Sequence, residues 1–136
     1  MIMSFHHIGV ACRDLATEAE AFGKIGYEVE GEDFVDPRQG IRGRFLVGPG
    51  PRLELLVGLP GSSVLKPWLD KGVKFYHQAF VVESLETSVQ QLCDKGGRMV
   101  SGLVPAIAFG GRQIAFIMLR NLAMVELIQA DEQRDA

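Results

Sequence analysis

Two stretches of the chain alternate apolar and polar positions in the same way seventy residues apart. "FHHIGV" occupies 5–10 and "FYHQAF" occupies 75–80. Laid over one another at that offset, Phe5 meets Phe75, His7 meets His77, Leu15 meets Leu85, Thr17 meets Thr87 and Gly26 meets Gly96. Each alternating run predicts a strand, because residues i and i+2 of a strand share a face. The period then changes. Leu15, Ala19 and Phe22 fall at i, i+4 and i+7, as do Leu85, Val89 and Leu92, and this is the stripe of an amphipathic helix. Asp14 and Ser84 stand where an N-cap belongs, and Gly26 and Gly96 where a left-handed C′ residue belongs.

After each helix come three more strand patterns. In the first half they lie near 27–34, at "IRGRFLV" and at "RLELLVG"; in the second they lie near 97–101, at "RQIAFIM" and at "AMVELIQ". Turn punctuation separates them at "GPGPR" (48–52), "FGGR" (109–112) and "RN" (120–121). The expectation is an α+β chain of 1–136 forming a single domain from two βαβββ repeats, about 4–58 and 74–130. The linker is 59–73, with a short helix near Pro67–Lys71.

Strand phase says where the histidines point. His7 shares a face with Phe5, Gly9 and Ala11, whereas His6 shares one with Ile8, Val10 and Cys12, the set a helix would cover. Small residues beside His7, and Ala79 beside His77, leave a hollow on that face. His6 is the weaker rival, on the same alternation. The last strand of each half writes a carboxylate into an aliphatic run: Glu54 in "LELLV" and Glu126 in "MVELI", 72 residues apart. A lone buried carboxylate is costly unless paired or bound to a cation. Two neutral imidazoles and two carboxylates carry a charge of −2, which suits one divalent ion. Mixed N and O donors favour Zn, Ni, Co, Mn or Fe.

Composition narrows the classes of function. The chain has 136 residues, 47% apolar and 23% charged, with a net charge of −3 and scattered basic residues, so nucleic acid is not the expected partner. No apolar run approaches the ~20 residues of a membrane span. The N-terminal pattern does not resemble a secretory signal, and Cys12 and Cys93 lack metal or redox spacing, so a cytoplasmic protein with buried free thiols is expected. The polar tail "QADEQRDA" is expected to fray.

"HIGVACRDL", "LELLVGLP", "YHQAFVVESLE" and "VPAIAFGGRQIAFIMLRNLAMVELI" resemble the vicinal oxygen chelate superfamily of glyoxalase I, methylmalonyl-CoA epimerase, extradiol dioxygenases and bleomycin-resistance proteins. The resemblance runs from about Ser4 to Gln129 and is strongest to the epimerase-like branch. It implies paired βαβββ modules curled into a mixed-sheet cup around one divalent metal, with His7, Glu54, His77 and Glu126 as ligands. The implied activity is that of a metal-dependent isomerase or lyase, acting through a metal-stabilised enolate on a small carbonyl or acyl-CoA substrate. Glu126 or Glu54 would move the proton. The chain departs from the epimerase pattern at Gly43, between Arg42 and Arg44, where an acidic base is expected; glycine cannot take a proton.

Arg44, Arg112 and Gln39 are candidate substrate contacts, the arginines for an anionic group, and the Gly110–Gly111 turn is a candidate entrance. The alternative is a non-catalytic sequestration protein of the bleomycin-resistance kind, against which the retention of all four ligand residues speaks. An extradiol oxygenase, with two histidines and one carboxylate in a larger chain, fits less well. Exposed strand edges make a homodimer the expected assembly.

Overall fold

The computed structural model describes residues 3–131. The last five residues of the tail expected to fray lie outside that range. The chain divides into two compact units, His7–Tyr76 and Met1–His6 with His77–Ala136, with the dividing lines inside the first strands of the two repeats.

In the N-terminal unit the order is β1 (Met3–Ala11), α1 (Leu15–Gly23), β2 (Glu28–Asp36), β3 (Ile41–Val47) and β4 (Leu53–Gly58), followed by a short α2 (Lys66–Lys71). The strands lie in the order β2-β3-β4-β1, antiparallel except for the parallel β1/β4 pair. Leu15, Ala19 and Phe22 of α1 pack on Val10, Cys12, Leu46, Leu53 and Leu55, the helix-side face of the sheet. On the opposite face Ala11, Ile41 and Leu56 meet Leu65, Trp68 and Leu69 at α2. The strand phase read from the sequence is therefore the observed one.

The C-terminal unit repeats this order with β5 (Phe75–Val82), α3 (Leu85–Asp94), β6 (Arg98–Met99), β7 (Val104–Pro105), β8 (Gln113–Met118) and β9 (Met124–Gln129). β5 pairs parallel with β9, β9 antiparallel with β8, and β8 with both β6 and β7. Leu85, Val89 and Leu92 of α3 cover Val82, Ala115, Ile117, Val125 and Leu127. The strand expected over 97–101 is broken. Only Arg98 and Met99 pair as a strand, and the chain rejoins β8 at Val104. The Phe116 N–H donates to the Ser101 Oγ, so a side chain takes a bond that the neighbouring backbone would have made.

Both helices are capped as expected. Asp14 accepts from the Thr17 N–H at 2.8 Å and Ser84 accepts from the Thr87 N–H at 3.3 Å. Both end in the same turn. Gly26 and Gly96 have φ of 103° and 93°, and the next N–H, of Tyr27 or Gly97, donates back to Phe22 O or Leu92 O. Cys12 and Cys93 are free; Cys12 is buried and Cys93 half-buried rather than buried as expected. Burial pushes the Cys12 thiol up to about 11, so it is a neutral packing group. No helix among the described residues is long and apolar enough to cross a membrane.

Gly26→Ala forces a Cβ into the left-handed region where nothing else crowds it, with Pro49 at 3.5 Å. The expected loss is about 1–2 kcal/mol of unfolding free energy, read as a lower urea midpoint at constant m. An unchanged midpoint contradicts the capping role.

Candidate metal centre

Each unit buries one histidine and one glutamate side by side. In the N-terminal unit β1 carries His7 and β4 carries Glu54. The parallel register sets Gly9 opposite Glu54. His7 Nε2 stands 3.2 Å from Glu54 Oε1. In the C-terminal unit β5 and β9 repeat the arrangement. Ala79 lies opposite Glu126, and His77 Nε2 stands 3.2 Å from Glu126 Oε1. Exposures are 0% for His7, 4% for Glu54, 3% for His77 and 3% for Glu126.

Each pair has an aromatic wall that inspection of the sequence did not single out. Phe45 on β3 is the cross-strand neighbour of Glu54, and its ring meets His7 edge to face, with centroids 5.6 Å apart at 79°. Phe116 on β8 is the neighbour of Glu126 and meets His77 at 5.2 Å and 83°. Such contacts hold an imidazole plane in place and exclude water from one of its faces. The signal was present, since Phe45 and Phe116 stand 71 residues apart, between the offsets of 70 for the histidines and 72 for the glutamates.

The donor chemistry fits a divalent ion. Nε2 and Oε1 are the atoms that carry ligating lone pairs, and in each pair they stand next to one another. Leu53 and Leu55 flank Glu54, and Val125 and Leu127 flank Glu126, so each carboxylate is embedded in apolar strand. Burying a carboxylate there is unfavourable without a proton or a cation to balance it. The four residues are a donor set that could hold a metal ion. His6 is not part of either pair. It is half-buried and packs edge to face against Phe109.

The three candidate substrate contacts lie in different places. Arg44 has the phase of Leu46, on the α1 side of the sheet, opposite to Gly43 and Phe45. Asp33 grips it through two hydrogen bonds of 2.7 and 2.9 Å, and this contact holds the Asp33 carboxyl below its usual range. Gln39 donates its Nε2 and its backbone N–H to the Asp36 carboxylate, which closes the β2–β3 turn. Arg112 has the phase of Ile114 and Phe116, so it lies on the Glu126 face. Its Nε donates to Phe109 O and its Nη1 to Gln129 O, both at 3.2 Å.

The chain is similar in sequence and fold to several known proteins. A model of the Glyoxalase/Bleomycin resistance protein/Dioxygenase superfamily matches residues 6–116. The chain is 28% identical over 134 residues to an ethylmalonyl-CoA/methylmalonyl-CoA epimerase of Cereibacter sphaeroides, covering 95% of this chain and 99% of the other. Among solved structures, the methylmalonyl-CoA epimerase of Mycobacterium tuberculosis superposes with a TM-score of 0.77 at 26% identity, covering 97% and 91% of the two chains. A methylmalonyl-CoA epimerase in complex with methylmalonyl-CoA and NH4+ gives 0.73 at 25% identity, covering 96% of each. With its βαβββ units of mixed sheet and its matched span, the chain belongs to the Glyoxalase/Bleomycin resistance protein/Dioxygenase superfamily and has the glyoxalase/bleomycin-resistance fold.

Proposed function

We propose that this chain is a divalent-metal-dependent isomerase that moves a proton on the carbon next to the carbonyl of a small carbonyl or acyl-CoA substrate. The observation that carries the reading is the repeated buried His–Glu pair, His7 with Glu54 and His77 with Glu126. On this reading the two pairs serve one ion of the Zn, Ni, Co, Mn or Fe class. Such an ion supplies a Lewis acid that draws charge onto the carbonyl oxygen and makes the neighbouring C–H acidic.

The residues of the chain do the rest. Position 43 holds no acid, so the proton is taken by Glu126 or Glu54, each already within 3.2 Å of an imidazole. Phe45 and Phe116 keep the histidines oriented and shield the carboxylates from water, which strengthens electrostatic interactions. Arg112 faces the same way as Glu126, about four residues along the sheet, roughly 13 Å. That placement suits an anionic group at the far end of the substrate. The relatives named above are epimerases, which favours an isomerase over a lyase. Four retained donors favour catalysis over simple sequestration.

Metal-stripped protein is expected to rebind about one divalent ion per chain, and His77→Ala to abolish this, as read by elemental analysis after desalting. Unaltered uptake by His77→Ala removes the metal reading. In deuterated water, metal-loaded protein is expected to exchange the α-proton of a suitable acyl-CoA thioester. Glu126→Gln should slow this by about 100-fold or more. Exchange at the wild-type rate in Glu126→Gln and in Glu54→Gln alike removes both residues as the base.

A further inference from the structure

The cross-strand register sorts the face that carries Glu54 into rows. One row, read across β2, β3, β4 and β1, is Glu30, Phe45, Glu54 and Gly9. The next is Phe34, Gly43, Leu56 and Ala11, apolar from end to end. The C-terminal unit repeats the pattern. Beside the row of Phe116, Glu126 and Ala79 runs a second row of Val104, Ile114, Ile128 and Val81.

Gly43 is the diagonal neighbour of Glu54, about 7–8 Å away by strand geometry. Its missing side chain is not open space. A Cβ built there would overlap the far end of the Phe34 ring. Phe34 is held at that spot by the cluster of Ala11, Ile41, Leu56 and Leu65 and continues onto Phe45, with centroids 5.7 Å apart and planes inclined at 36°. Phe34 and Phe45 are both half-buried. Phe34, Phe45 and His7 thus form an unbroken aromatic series beside the buried carboxylate.

The charges on this side of the site do not favour an anion next to Glu54. Arg42 and Arg44 belong to the other face, where Asp33 engages both. Arg52 lies beyond the Glu54 row, on the side away from Phe34, and is engaged by Glu30 at 2.9 Å. Asp36, past Phe34, is a buried carboxyl side chain that accepts from Gln39. A substrate carboxylate set against the Phe34 ring would lose its water there while facing Glu54 and no cation of the Phe34 row.

We infer that Phe34, seated over Gly43, sets specificity: the substrate carries an apolar, preferably planar, group on its α-carbon rather than a carboxylate. This rests on the proton-transfer reading above and names its substrate class. Phe34 is a contact for the substrate and takes no proton. The chain is then a relative of the epimerases in which the acyl end of the site has been rebuilt for an aryl or branched alkyl substituent.

The test compares two thioesters that differ only in that group, 2-phenylpropionyl-CoA and methylmalonyl-CoA, by titration calorimetry on the full chain loaded with Co(II). Wild-type protein is expected to bind the phenyl compound about tenfold more tightly or better. Phe34→Ala should erase this preference by weakening the phenyl compound alone. Phe34→Leu, which keeps the core filled, should reduce it severalfold with an unchanged far-UV circular dichroism spectrum. A wild-type preference for methylmalonyl-CoA, or a ratio unaltered by both substitutions, overturns the inference. Cobalt content and α-proton exchange are recorded on the same samples. Ion uptake and exchange without the phenyl preference overturn only this inference. The preference without ion uptake overturns the metal reading and leaves the role of Phe34 standing.

Discussion

A carboxylate placed in the middle of an aliphatic strand is the constraint on which the rest of this structure turns. Glu54 and Glu126 are each surrounded by leucine, valine and isoleucine neighbours, and each is turned towards the Nε2 of a histidine two residues before the small residue opposite it. Left alone, such a group would cost several kcal/mol in desolvation. Hydrophobic substitutes of similar size would pack there without that cost. The chain bears the cost twice, at equivalent positions, with the same aromatic wall, and this repetition is hard to ascribe to packing. It is what a site selected for charge would look like.

The surrounding architecture serves that placement. The amphipathic stripe of α1 or α3 covers one face of its sheet, so that Val10, Leu53 and Leu55, or Val82, Val125 and Leu127, are spent on the core. The other phase of the same strands is thereby left for His7, Gly9 and Glu54, or for His77, Ala79 and Glu126. Parallel pairing of the first strand with the last of each unit then brings imidazole and carboxylate side by side, although they are 47 and 49 residues apart in the chain. Gly9 and Ala79, the register partners of the two glutamates, are both small.

Much of this was legible in the sequence because it was written twice. The offset of 70 marked the strands, helices, caps and histidines, and strand alternation separated His7 from His6. Other features lacked such a mark. Phe45 and Phe116 are apolar residues in apolar strands, and only the register reveals that they face the histidines. The alternation that separates His7 from His6 also places Arg44 with Leu46 on the helix side. At the broken strand over 97–101 the Phe116 N–H is held by the Ser101 Oγ, a tertiary contact with no local signature. The covering of Gly43 by Phe34 is likewise a cross-strand event between residues nine apart, across the β2–β3 turn.

The central claim is that both His–Glu pairs serve a single ion, and X-ray absorption of the Co(II)-loaded chain tests it most directly. The account predicts a first shell of mixed nitrogen and oxygen with the outer-shell scattering of two imidazoles, and loss of that shell with the ion in His7→Ala and in His77→Ala alike. A shell without imidazole scattering, or one that either substitution leaves intact, contradicts it.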